Sequence, residues 1–153
     1  MIAKVATHQA IERTLYRYCA AIDSSDYETF AGLFKHGQWF MVDHPGPEPV
    51  RKWLEENVLL YDGRTMMRHQ ITNLQIDEEE SGREASFTCC ISLWQGLDDF
   101  PIQPIFFGRF SGTFALLDGE WWWQTNRVDA DLVGVMSRHL RNWDQVRGSV
   151  ASA

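Results

Sequence analysis

The sequence predicts an α+β fold, a cone-shaped barrel in which N-terminal helices pack against a strongly curved, mostly antiparallel sheet. Apolar residues recur at helical spacing between residues 7 and 60. Long runs of strand-forming residues follow between residues 65 and 129, and Asp118 and Gly119 carry the sequence of a tight hairpin turn. Long strands joined by short turns form a meander, and helices cover one of its faces.

Three helices are predicted before the sheet, over residues 7–22, 25–34 and 50–60. Thr7 is the expected N-cap of the first helix, and the run from Ser25 to Glu28 has the capping-box pattern that opens the second. A short strand is expected over residues 38–42, followed by a loop rich in proline and glycine. Two consecutive helices are expected to cover one side of the sheet.

Four long strands are predicted over residues 65–76, 84–97, 102–117 and 121–129, with an acidic turn over residues 77–83. Apolar residues then recur at helical spacing over residues 131–147, which predicts a C-terminal helix that caps the open end of the cone or reaches a neighbouring subunit. Residues 148–153 are expected to fray. The whole chain, residues 1–153, fits one domain of ordinary size.

Composition narrows the classes of partner. Hydrophobic residues make up 44% of the chain and include seven Trp and nine Phe, enough to fill a core and still line a hollow. The net charge is −7 and the basic residues are scattered, which argues against a nucleic-acid partner. No apolar window approaches the length of a membrane span and no signal pattern opens the chain, so we expect no membrane partner and a cytoplasmic location.

Cysteine and histidine spacing gives no support for a metal or a cofactor. Cys19, Cys89 and Cys90 form no ligand spacing and are expected to be reduced packing residues, with Cys89 and Cys90 on opposite faces of a strand. The remaining histidines have no carboxylate at metal-ligand spacing on a shared element; they are His8, His36, His44 and His139. There is no glycine-rich phosphate loop and no Gly-x-Ser-x-Gly elbow, so neither cofactor nor metal is expected.

Asp23 and His69 are the most informative pair of residues. Asp23 falls at the end of the first helix, and His69 lies on the first long strand. A buried carboxylate that holds an imidazole in one tautomer produces a general base suited to removing a proton from carbon. Tyr18 precedes Asp23 by five positions, somewhat more than one helical turn, so both side chains can face one cavity. The alternatives are structural: Asp23 as a cap, and His69 and Tyr18 as core residues.

These residues and several motifs resemble the SnoaL-like branch of the nuclear-transport-factor-2-like superfamily. That branch includes scytalone dehydratase, bile acid 7α-dehydratase and hexachlorocyclohexane dehydrochlorinase. The resemblance covers nearly the whole chain and rests on the order and spacing of its parts. Besides the region around Asp23, these are Leu15-Tyr16-Arg17-Tyr18, Arg68-His69-Gln70-Ile71-Thr72-Asn73, Phe107-Gly108-Arg109-Phe110 and Asp118-Gly119-Glu120-Trp121.

The resemblance implies roles for individual residues. Asp23 and His69 match the Asp–His pair of the dehydratases and the dehydrochlorinase, Tyr18 matches a tyrosine of the bile acid dehydratase, and Trp39 matches a pocket-lining tryptophan of the dehydrochlorinase. Ile22 stands where scytalone dehydratase has a tyrosine, so scytalone is a poor candidate substrate. Further substrate-binding residues are expected on the strands: Trp94, Phe106, Phe110 and Trp123 as aromatic walls, and Arg109 and Arg127, which either pair with Asp129 or Asp131 or offer positive charge to the ligand.

The family implies a cofactor-independent lyase, preferably a dehydratase, or an isomerase. Its substrate would be a small apolar cyclic molecule such as a polyketide, terpenoid, steroid or halogenated ring, and the protein would be a homodimer or homotrimer. The alternative is a non-catalytic ligand-binding or scaffold module, for example a small subunit of a ring-hydroxylating dioxygenase. Catalysis requires the Asp23 carboxylate to hydrogen-bond one ring nitrogen of His69 while the other nitrogen faces an open cavity.

Overall fold

Helices and a curved sheet form the architecture in the computed structural model, which describes residues 2–152. Three helices come first, then four long antiparallel strands in the order β1-β2-β3-β4, then a short helix and a short strand that lies parallel to β4. The predicted α+β class is therefore confirmed. The elements are α1 (Ile2–Asp23), α2 (Tyr27–Gly32), α3 (Pro47–Asn57), β1 (Met67–Glu78), β2 (Glu84–Leu97), β3 (Phe100–Leu117), β4 (Glu120–Val133), α4 (Trp143–Val146) and β5 (Ala151–Ser152).

The sheet is a meander with irregularities that bend it. Asp118 and Gly119 join β3 to β4 with positive φ angles of 51° and 84°, the backbone of a tight hairpin turn, as the sequence predicted. The pairing register shifts between β1 and β2, between β2 and β3, and between β3 and β4. One of these shifts lies between Leu93 and Trp94 of β2. Such bulges increase local twist and curve a sheet, here around the helices.

The core lies between the inner face of the sheet and the three helices. Helix α1 contributes Ile11, Leu15 and Tyr18 at helical spacing, and all three are buried. At one end of the sheet the ring of Trp123 stacks against Phe34 and Phe114, with centroids 5.2 and 5.0 Å apart. This end is solidly packed, so any hollow must lie toward the other end of the strands.

The helix boundaries differ from those predicted. Helix α1 begins at Ile2, so Thr7 is a buried residue inside it and not its N-cap. Helix α2 begins one residue later than the capping-box pattern indicated, because the Asp26 carboxylate accepts a hydrogen bond of 3.0 Å from the Thr29 N–H. Helix α3 begins at Pro47, whose fixed φ suits a first helical turn, and ends where Val58 becomes extended.

The strand predicted over residues 38–42 is instead a turn held against β4. The Gln38 N–H donates to the Gln124 carbonyl, and the Phe40 N–H donates to the Asn126 side chain. Gly37 permits this contact, because a Cβ there would lie 2.1 Å from the Trp123 carbonyl oxygen. The segment therefore makes one backbone hydrogen bond to β4, while its other bonds go to the Asn126 side chain and within the turn, so no strand ladder forms.

The C-terminal helix predicted over residues 131–147 is also wrong. Strand β4 continues to Val133, which pairs with Phe106, and only Trp143–Val146 is helical. Residues between them follow an irregular path that bonds to the end of α3, where the Leu59 N–H donates to the His139 carbonyl. The expected frayed tail is corrected as well, because Ala151–Ser152 pairs with β4.

The cysteines are free, as expected, and Cys89 is buried while Cys90 on the opposite face is exposed. Burial raises the pKa of the Cys19 and Cys89 thiols to about 12, so neither is a thiolate nucleophile near neutral pH. Within residues 2–152 no helix is long and apolar enough to cross a membrane. The same residues contain no group of three or more side chains placed to hold a metal ion.

Candidate active site

An apolar cavity lies between the helices and the end of the sheet away from Trp123. The space inside it that the centre of a water molecule can occupy is about 80 Å³. This volume is several times the volume that one bound water molecule requires. Polar groups reach it from His69, His139 and Tyr18, and the apolar lining includes Trp39, Leu93, Phe106, Met136 and Trp143.

Asp23 and His69 form a hydrogen-bonded pair at the edge of this cavity. The Asp23 Oδ1 atom lies 2.8 Å from His69 Nδ1, and the His69 backbone N–H donates to both carboxylate oxygens at 3.0 and 3.1 Å. The Thr65 hydroxyl donates to the Asp23 carbonyl at 3.1 Å and ties the end of α1 to the start of the sheet. The carboxylate is thus held by backbone and side chain of one strand residue.

This pairing fixes the tautomer of His69. An ionised carboxylate only accepts, so Nδ1 carries the hydrogen and Nε2 carries the lone pair. Nε2 has no hydrogen-bond partner among the described residues, and the ring lines the cavity. The side chains of His69 and Asp23 are only 7% and 13% exposed. A lone pair on an oriented, water-poor imidazole therefore faces space that a ligand can occupy.

Tyr18 lies next to His69, with ring centroids 6.2 Å apart and the rings edge to face. Burial raises the pKa of its phenol well above the ordinary value, and the nearby Trp39 indole offsets only part of this rise. The hydroxyl therefore stays protonated and can donate a hydrogen bond into the cavity.

The aromatic residues predicted to line the site divide into two groups. Trp39 and Phe106 line the cavity. Phe110 and Trp123 are fully buried behind Tyr18, with centroids 5.3 and 5.4 Å from its ring. These two residues support the tyrosine from the core and do not border the cavity.

Three predicted binding residues lie on the outer face of the sheet, which corrects their assignment. Trp94 packs there against Phe107, because its neighbours Leu93 and Gln95 point inward. Arg109 is 61% exposed and lies 3.6 Å from Asp131, and Arg127 is 64% exposed and bonds Asp129. Of the two possibilities for the arginines, pairing with an acid is the one observed.

Sequence reasoning expected the C-terminal segment to cap the open end of the cone or to reach a neighbouring subunit, but it assigned none of the segment's residues to the site. Residues 134–150 supply Met136, His139, Leu140, Trp143 and Val150 to the cavity wall. His139 is buried, and desolvation, with a smaller effect from His69, lowers its pKa to about 3. The signal in the sequence was the apolar spacing of this segment, which indicated a packed face but gave no reason to single out His139.

Comparisons with solved structures identify the same fold in proteins of low identity. One is a candidate scytalone dehydratase from Novosphingobium aromaticivorans, with 20% identity, a TM-score of 0.66 and coverage of 85% of this chain and 87% of that one. LinA has 17% identity, a TM-score of 0.69 and coverage of 87% and 91%. The β subunit of a candidate aromatic-ring-hydroxylating dioxygenase from N. aromaticivorans has 18% identity, a TM-score of 0.67 and coverage of 87% and 94%.

A search of curated proteins finds no match. The family model of the SnoaL-like domain matches residues 3–133, from α1 to the end of β4. This match, which covers most of the chain, shows that the chain belongs to the SnoaL-like family.

Proposed function

We propose that this protein is a cofactor-independent lyase, most simply a dehydratase, or an isomerase that acts on a small cyclic substrate. One observation carries the proposal: Asp23 bonds His69 Nδ1 at 2.8 Å while the same ring borders an apolar cavity. This is the arrangement that a general base requires for removing a proton from carbon. Asp23, His69 and Tyr18 are its catalytic residues, and Trp39 and Phe106 are substrate-binding residues.

The chemistry follows from the orientation of the three polar groups. His69 Nε2 takes a proton from a carbon next to a carbonyl group, and Asp23 stabilises the imidazolium that forms. The Tyr18 hydroxyl donates to the enolate oxygen. In a dehydration the enolate electrons form the carbon–carbon double bond as the neighbouring carbon–oxygen bond breaks. The imidazolium proton then leaves with the hydroxide as water, which restores His69.

The apolar wall supports this proton transfer by keeping water out. Water would compete for His69 Nε2 and for the Tyr18 hydrogen bond, and its removal strengthens both interactions. Arg109 and Arg127 are left out of the mechanism because they bond acids on the outer face of the sheet. Tyr18 is therefore the group that stabilises the enolate.

The test is carbon-bound hydrogen exchange, which needs a general base but no leaving group. The wild-type protein should exchange the acidic hydrogens of 2-tetralone for deuterium in D₂O faster than buffer alone, as followed by proton NMR. Asp23→Asn should slow the exchange by about 100-fold to 10,000-fold, because a neutral amide cannot both fix the tautomer of His69 and stabilise the positive charge of its imidazolium form. His69→Leu should remove it. Asp62→Asn changes an exposed carboxylate in a turn and should leave the rate unchanged. Exchange at the buffer rate in the wild type would refute the proposal.

A non-catalytic module is the second candidate function. Exposed apolar side chains on β3, on β4 and just after β4 favour it, since they suit contact with another chain; they include Ile102, Phe107, Leu132 and Val135. Copurification of an unlike subunit, together with no exchange, would support this candidate.

Three expectations remain predictions: a single domain over residues 1–153, a homodimer or homotrimer, and a cytoplasmic location. Light scattering measures the oligomeric state against a chain mass of 17.7 kDa.

A further inference from the structure

The C-terminal segment holds His139 firmly in the cavity wall. The His139 carbonyl accepts from the Leu59 N–H at 2.9 Å, and its own N–H donates to the Met136 carbonyl at 2.9 Å. The preceding carbonyl, of Arg138, accepts from the Tyr61 hydroxyl at 2.6 Å and from the Gln95 side chain at 2.9 Å. This segment follows the residues matched by the family model, which end at 133. The position of His139 is thus built by this chain's own contacts with β2 and with the residues that follow α3.

The imidazole of His139 has unused hydrogen-bonding capacity. The residue is 6% exposed and its ring lines the cavity, yet neither ring nitrogen bonds to a described residue, and Nδ1 is completely enclosed. Burial and the neighbouring His69 lower its pKa to about 3, so the ring is neutral near pH 7. A neutral imidazole offers one N–H donor and one acceptor nitrogen.

A buried polar group without a partner is costly, and substitution by an apolar residue would remove the cost. Where the imidazole faces a cavity, a bound ligand can supply the missing hydrogen-bond partner and offset this cost. The rest of the nearby lining is apolar, through Met136, Leu140 and Trp143. His69 Nε2 is already assigned to proton transfer and the Tyr18 hydroxyl to the enolate oxygen, which leaves His139 for a different atom of the ligand.

We propose that His139 binds a second oxygen atom of the substrate, so that the site takes oxygenated ring compounds, cyclic ketones with a further hydroxyl or carbonyl group, and discriminates against halogenated hydrocarbons. This assignment rests on the proposed function, because it names the substrate class of the same site. A hydroxyl group can both donate to and accept from a neutral imidazole, whereas carbon-bound halogen is a poor hydrogen-bond acceptor. His139 is therefore a specificity-determining residue that touches substrate.

The experiment compares the binding of 1-tetralone, which has one oxygen, with that of its hydroxylated derivatives, which add a second oxygen at different ring positions. Titration calorimetry on the wild type should give at least one derivative a dissociation constant roughly fivefold to tenfold lower than that of 1-tetralone, the effect of one additional hydrogen bond. His139→Leu should abolish this preference, and His139→Gln should retain part of it. His44→Leu makes the same change at an exposed histidine and should keep the preference.

Thermal unfolding separates a binding effect from misfolding. His139→Leu removes an unpartnered buried nitrogen, so its unfolding midpoint should equal or exceed that of the wild type at neutral pH. Failure of the wild type to bind the hydroxylated probes, equal binding of all probes, or an undiminished preference in His139→Leu would each overturn the inference.

The exchange assay with 2-tetralone distinguishes this inference from the proposed function. A preference that His139→Leu abolishes, in a protein that exchanges no hydrogen, would refute the proposed reaction but support the binding role of His139. Exchange that depends on Asp23, without any preference for hydroxylated probes, would refute the role of His139 alone.

Discussion

The buried imidazole of His139 makes the stability of the fold depend on pH. Burial lowers its pKa from 6.5 to about 3 in the folded chain. Between these two values the unfolded chain binds a proton that the folded chain does not. The free energy of unfolding contributed by this residue is therefore fully retained above pH 6.5 and is lost as the pH falls toward 3.

The magnitude follows from one proton. Each pH unit within this window costs about 1.4 kcal/mol, so the loss between pH 6.5 and pH 5 is roughly 2 kcal/mol. The result depends little on the folded-state value, because pH 5 lies well above it. His139→Leu removes the proton-binding group and should flatten the dependence by this amount.

Urea denaturation at a series of pH values from 7.5 to 5 measures this difference. Other groups titrate in the unfolded chain as well, but they are common to both proteins and cancel when the two curves are subtracted. Met136→Leu alters the same buried segment without removing a titratable group, so it should keep the wild-type slope. Parallel curves for the wild type and His139→Leu would show that His139 is not buried as a neutral ring.

Four further substitutions test other parts of the structure. Gly37→Ala places a Cβ 2.1 Å from the Trp123 carbonyl oxygen and should lower the free energy of unfolding in urea by about 1–3 kcal/mol; no loss would contradict the close contact. Tyr18→Phe keeps the ring packing but removes the donor, so 2-tetralone exchange should slow by about tenfold or more while the unfolding midpoint changes little; an unchanged rate would remove Tyr18 from the mechanism. Arg109→Gln and Arg127→Gln alter exposed ion pairs and should leave the exchange rate unchanged and stability within about 1 kcal/mol, whereas a large loss of exchange would place them at the site.

The sheet was predictable because its signals are local. Runs of strand-forming residues define β2 to within its observed bounds, and Asp118 and Gly119 supply the backbone that a tight turn requires. The turn at residues 38–42 was not predictable, since its shape depends on the contact of Gly37 with Trp123 and on hydrogen bonds to Asn126, almost ninety positions away. Distant partners decided the local conformation.

The same distinction applies to the site. Asp23 and His69 were found because the family resemblance adds long-range information to two ordinary residues. Among the strand residues, period-two alternation already separates Phe110 from Arg109, since neighbours on a strand point to opposite faces. Both cannot border one cavity, and the arginine takes the outer face with Asp131. Bulges change which residues face inward. Counting every second residue from a distant position therefore does not identify the inward-facing residues of these strands.

Two separate parts of the chain form the cavity, so substitutions can alter its substrate preference without altering the Asp23–His69 pair. The proposed general base lies within the residues that the family model matches, where Asp23 bonds both the ring and the backbone of His69. The facing wall, with His139, Met136 and Trp143, comes from an irregular segment whose backbone bonds to α3 and β2 and not to the dyad. Side chains there can change without moving the base, since their backbone positions are held independently. Reaction type and substrate preference are therefore expected to vary separately, the first with Asp23 and His69 and the second with residues 134–150.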